Sequence, residues 1–216
     1  GPVSDEATAR LPSAIAGAFD AGVFFLLAGR LLAPATATLA TTLLVLSPLD
    51  LWYGQELRFY ALWLLIATCA TSVLTRVVAG GTLRWWAAYA VLTIAGLYTC
   101  LMHALVVAAH GLTLLWVGRR EDRLAPLVRR AVGTIVVVAL ATLPVAWVVL
   151  NEHGRQAGTP RPPSLAALPY TLFAFAAGYS LGPTVESLHA LPSPGAVARE
   201  HPSVVVACAV FGTALA

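Results

Sequence analysis

From Ala131 to Leu150 the chain runs for twenty residues, A-V-G-T-I-V-V-V-A-L-A-T-L-P-V-A-W-V-V-L, without one ionisable side chain. As a helix at about 1.5 Å per residue, a run of this length matches the roughly 30 Å hydrocarbon core of a bilayer. It offers water no charged face, so a place on the surface of a soluble domain is excluded. Similar runs recur from about Leu11 to Gly29, Ala35 to Leu49, Phe59 to Leu74, Trp85 to Tyr98, and onward to about Val117. The expected fold class is therefore all-α: a polytopic transmembrane helix bundle of about six to seven spans. Composition agrees, because 11% charged residues is well under the roughly 25% of soluble domains.

The expected organisation has three parts. Residues 1–150 form the helical bundle, with a polar motif at 47–60. Residues 151–202 form a proline-rich loop region on the outer face, containing a short apolar piece, 170–181, read as re-entrant or interfacial because it is too short to span. Residues 203–216 begin a further span. Both ends look cut: there is no initiator Met or basic leader, and the chain stops within an apolar run. The chain is thus expected to be a fragment of a longer membrane protein.

Local signals place the turns. Pro12 and Ser13 suit a helix start. Arg30 marks a turn, and Arg76, Gly80, Gly81 and Arg84 mark another. Trp85 and Trp86 suit a membrane interface. A short turn is expected at Cys100–His103, and the charged run R-R-E-D-R-L-A-P-L-V-R-R, ending at Arg130, is read as a loop. If the spans alternate, Arg30, Arg76, Arg84, Arg119, Arg120, Arg123, Arg129 and Arg130 share one side, which the arginine bias makes cytoplasmic. The motif at 47–60, the Cys100–His103 turn and the 151–202 loop then face outward. A net charge of +3 is too small and scattered to suggest nucleic acid. The three cysteines lie in apolar runs without metal-like spacing and read as buried thiols.

Polar residues inside the apolar runs are costly and mark candidate sites. Asp20 lies in the middle of the first span and is expected to face the bundle interior. His110 reads as a packed histidine, whereas His103 lies at a span boundary. The densest cluster, a polar knot where two apolar runs meet, is Asp50, Tyr53, Gln55, Glu56, Arg58 and Tyr60.

The segments R-L-P-S-A-I-A-G (10–17), G-R-L-L-A (29–33), L-S-P-L-D-L-W-Y-G-Q-E-L-R-F-Y-A-L (46–62), L-Y-T-C (97–100) and A-H-G-L (109–112) follow in an order that resembles the glycosyltransferase family 39 type of GT-C membrane enzymes. The resemblance covers nearly all of residues 4–118. It implies a GT-C-like membrane domain in a bacterial plasma membrane, transferring a hexose or pentose from a polyprenyl-phosphate carrier to an acceptor on the non-cytoplasmic face. The partners it implies are a polyprenyl-phosphate-linked sugar and membrane lipid. Three departures stand out. Gly54 replaces the usual Ser, and Cys100 replaces the usual His, with His103 one turn on as a substitute. The acidic catalytic residue of the family belongs to a loop upstream of this chain, so the fragment alone is expected to be inactive.

Sugar transfer from a lipid phosphate passes through an oxocarbenium-like transition state. It needs a carboxylate for the acceptor and cationic or hydrogen-bonding groups for the departing phosphate. Arg58 suits the phosphate because a planar guanidinium pairs bidentately with it. Glu56 suits an acceptor or a divalent metal ion, the one cofactor weighed. Tyr53, Gln55, Tyr60 and His103 are the remaining candidates for substrate binding at the knot and the neighbouring turn. Glu186 and His189, at i and i+3, are expected in a lid over the carrier. If the knot is fully helical, Glu56, Tyr53 and Tyr60 share a face and Arg58 and Gln55 point about 160° away from Glu56. The competing class is a polytopic transporter or lipid flippase, for which Asp20 is the best support.

Overall fold

The structure, a computed structural model, describes residues 2–47, 51, 58–152, 199, 200, 202 and 206. Among them there are six helices and no strand: α1 (Pro2–Leu31), α2 (Pro34–Val45), α3 (Tyr60–Val78), α4 (Leu83–Thr99), α5 (His103–Arg120) and α6 (Leu124–Glu152). The chain divides into two compact units, Gly1–Leu44 with Tyr53–Ala157, and Val45–Trp52 with Gly158–Ala216. Apart from Val45, all six helices belong to the first unit. Within the second, the Leu51 amide donates to the Ser47 carbonyl at 3.1 Å.

Three helices are long and apolar enough to cross a membrane: α1 over Thr8–Leu31, all of α3, and α6 over Leu124–Val149. This suits an integral membrane protein. At 12 residues, α2 rises about 18 Å and falls short of the hydrocarbon thickness, so the expected span at 35–49 ends early. The expected start at Pro12 is also corrected. Pro12 lies inside α1, where its missing N–H removes one bond of the ladder without ending the helix. The charged run after α5 contributes a turn of only Glu121 to Arg123, and α6 begins at Leu124, so Arg129 and Arg130 are helical.

Special backbone positions close the turns. The Ala79 amide donates to the Thr75 carbonyl, and the Gly80 and Gly81 amides both reach the Val77 carbonyl at 3.2 Å. Gly80 has φ +90°, and a Cβ on Gly81 would lie 2.6 Å from the Arg76 carbonyl oxygen, so both positions call for glycine. Asp122 occupies the left-handed region at φ 58°, which Asp tolerates better than most residues. The Arg123 amide then returns to the Gly118 carbonyl at 2.9 Å.

Around these turns α3 packs on α1, α4 and α5, while α6 packs on α4 and α5. The core draws Ala70, Leu74 and Val77 from α3, Trp86 and Tyr89 from α4, Leu114 from α5 and Leu127 from α6. Ala61, Ala67 and Ala70 are buried along α3, small side chains that let neighbouring helices come close. The outward side of α6 is different: Leu140 is 63% and Trp147 71% exposed. An apolar face of that kind is a liability in water and ordinary against lipid.

Directions follow from pairs of contacts. Ser13 Oγ lies 3.5 Å from the Arg58 carbonyl oxygen, and Arg30 Nη1 donates to Ser72 Oγ at 3.0 Å. α1 and α3 therefore run parallel, and the short turns make α3, α4, α5 and α6 alternate. The eight arginines from Arg30 to Arg130 named above gather at one end of this unit. Ser13, Arg58, Tyr60 and His103 lie at the other.

Candidate functional site

The end opposite the arginines is built from the lead-in to α3, the N-terminal half of α1 and the α4–α5 turn. Arg58 is an exposed bend residue two positions ahead of α3. The helical phase expected to separate it from Glu56 therefore does not extend through Arg58. Phe59 caps the helix without a side-chain bond. Its ring lies 4.6 Å from that of Tyr60 between centroids, and its carbonyl accepts from the Trp63 amide at 2.8 Å. Tyr60, the first residue of α3, is half-buried. Tyr53, Gln55, Glu56, Glu186 and His189 lie outside the described residues, as do Asp50 and the segment 170–181.

His103 opens α5 and is fully buried, not on the open boundary surface that its sequence position suggests. Its ring lies against Gly96 of α4. A Cβ on Gly96 would come within 2.5 Å of three ring atoms, so a glycine there is what admits the imidazole. Neither ring nitrogen meets a hydrogen-bond partner among the described residues.

His110, by contrast, is a satisfied core histidine, as the sequence suggests. Thr71 Oγ1 donates to the Ala67 carbonyl at 2.8 Å and also lies 3.0 Å from His110 Nε2. With its one proton engaged, the hydroxyl can only accept there, which assigns the ring proton to Nε2. Nδ1 is left as the acceptor for the Tyr89 hydroxyl at 3.1 Å. This network links α3, α4 and α5, and only its histidine stood out in the sequence. Nothing in the spacing of Thr71 and Tyr89 marks them, because each sits in a different helix.

Asp20 is 1% exposed on the helix that packs on α3, with Cys69 of α3 within electrostatic range. It faces the bundle interior as expected. Among the described residues no group of three His, Cys, Asp or Glu side chains lies together to hold a metal ion.

A second feature lies within the bundle. α4, α5 and α6 form a half-open groove of about 250 Å³ lined by Trp86, Tyr89, Leu97, Gly111, Leu114 and Val138, among others. Its walls are almost wholly apolar.

Comparison with protein-family models, with curated proteins and with solved structures finds no match to this chain.

Proposed function

We propose that this chain is the membrane part of a glycosyltransferase that moves a hexose or pentose from a polyprenyl-phosphate carrier to an acceptor on the non-cytoplasmic face. The observation that carries the reading is the segment S-P-L-D-L-W-Y-G-Q-E-L-R-F-Y-A-L from Ser47 to Leu62, with its resemblance to the family 39 type and its place in the order of motifs. Two features of the bundle support it. The exposed Arg58 lies at the end opposite the arginine cluster, and three helices have the length and polarity of membrane spans.

In the proposed reaction an acceptor hydroxyl attacks the anomeric carbon, the bond from that carbon to the phosphate oxygen breaks, and the acceptor proton leaves to a carboxylate. Arg58 takes the phosphate that departs with both electrons of that bond. Tyr53, Gln55 and Tyr60 orient the carrier headgroup. Glu56 contacts the acceptor, and the resemblance implies a further acidic residue as the main base. His103, buried where α5 begins at the same end of the bundle, supports the site. Glu56 would be the residue to hold a divalent cation at this site.

The test is transfer of labelled sugar from a polyprenyl-phosphate donor by membranes containing the protein within its complete reading frame. Arg58→Ala is expected to lower turnover by about 100-fold, in line with the loss of one charged transition-state contact, and Glu56→Gln to lower it as well. Unchanged activity in both variants overturns the site assignment. The second reading, a transporter or lipid flippase, draws on the buried Asp20. Substrate movement in reconstituted vesicles without sugar transfer, lost in Asp20→Asn, favours it instead.

A further inference from the structure

The groove between α4, α5 and α6 is lined by none of the residues assigned to the transfer site. It starts near the arginine end of the bundle, where Trp86 and Ala131 line it, and extends to Leu97 and Thr142. From Ala131 to Thr142 it follows α6 for about 16 Å, close to half the roughly 30 Å hydrocarbon core, the depth of one leaflet. Its volume, about 250 Å³, admits a length of one hydrocarbon chain and not a whole lipid.

Two observations say what enters it. Trp86 is 3% exposed and lines the groove, and its indole Nε1–H meets no acceptor among the described residues. An indole nitrogen can only donate, and this one is covered within the protein, so an acceptor oxygen in the groove reaches it only when the Trp86 ring turns toward the groove. Charge is the second. The eight arginines at this end are accompanied there by only two carboxylates among the described residues, Glu121 and Asp122. Arg130 directly precedes the lining residue Ala131 and sits one turn below the lining residue Thr134. It gives one N–H to the Gly81 carbonyl at 3.2 Å and retains further donors. Arg129 beside it makes no hydrogen bond or ion pair among the described residues.

We propose that this groove binds one acyl chain of an acidic glycerophospholipid from the arginine-side leaflet. The ester carbonyl accepts from the turned Trp86 ring, and the headgroup phosphate rests on Arg130 and Arg129. An apolar slot capped by an indole donor and a cationic rim matches the order of groups along such a lipid: chain, ester, phosphate. Basic pockets between helices at the membrane interface hold acidic headgroups in the same way.

Native mass spectrometry of the full chain in detergent tests this, with titration by phosphatidylglycerol, by phosphatidylcholine with the same acyl chains, and by glycerol phosphate without chains. The wild type is expected to retain one phosphatidylglycerol, half-saturating at about ten-fold lower concentration than phosphatidylcholine, and to retain no glycerol phosphate. Arg130→Gln is expected to remove most of the preference. Trp86→Phe is expected to weaken retention while leaving the ring volume in place. Gly111→Leu should abolish retention by filling the slot, and a Cβ at Gly111 meets nothing within 4 Å, so the bundle accepts it; circular dichroism checks that. Equal retention of the two lipids overturns the proposal. So does binding of glycerol phosphate alone, or binding unchanged in Gly111→Leu and Trp86→Phe.

Discussion

At the scale of single residues, the pairing of Gly96 with His103 shows how one absent methyl group can place a polar ring inside an apolar bundle. The imidazole is 0% exposed, so it cannot swing aside to make room. Gly96→Ala sets two effects against each other. Helix propensity favours alanine by about 1 kcal/mol, while overpacking a closed site costs about 1–3 kcal/mol. With ring atoms 2.5 Å from the new Cβ, overpacking prevails, and thermal unfolding in detergent is expected to show a lower midpoint. In a His103→Ala background the same change should become neutral or stabilising. An equal loss in both backgrounds would mean that the contact does not limit this position. The sequence carried half of this pair: His103 was marked by its place at a span boundary, but its depth was not legible because burial there depends on a glycine in the neighbouring helix. The same holds for His110, readable as a packed histidine, while its partners Thr71 and Tyr89 emerge only when three helices are brought together.

At the scale of elements, α6 is the clearest case for a lipid surround. Its mean hydropathy reaches 2.4 and very little of it is buried within the protein, so its outward face needs an apolar solvent. Leu140→Arg places a guanidinium near the middle of that face. The expected penalty on membrane insertion is about 2.5–3.5 kcal/mol, measurable as the inserted fraction in a glycosylation-mapping assay. Full insertion of the variant would mean that the face meets water or protein. The starts of α3, α4 and α5 fall close to where the sequence placed them; Arg58 precedes α3, and the Gly80–Gly81 pair precedes α4, whereas Trp86, expected at the interface, is buried in the core. α1 escaped that logic: Pro12 carries the same signature at a first turn and within a membrane helix, and only the ten residues before it distinguish the two. The charged run after Val117 misled in the opposite direction. Arg129 and Arg130 look like loop, yet at the start of a span they continue the helix and rest near the interface.

At the scale of the whole molecule, the arrangement is polarised. The parallel course of α1 and α3, fixed by the Ser13–Arg58 contact and the Arg30–Ser72 bond, gathers the arginines at one end and leaves Arg58, Tyr60 and His103 at the other. This polarity was legible in the sequence because charge follows span ends. The chemistry of the knot was legible only through its motif, since most of that motif lies outside the described residues. The central claim is that the knot's end performs sugar transfer on the outer face. It is tested most directly by supplying a labelled polyprenyl-phosphate sugar to sealed vesicles that contain the whole protein, then adding a membrane-impermeant hydrolase. The account predicts labelled product that the hydrolase removes in right-side-out vesicles and cannot reach in inverted ones. Absence of product, or product accessible only in inverted vesicles, would contradict it.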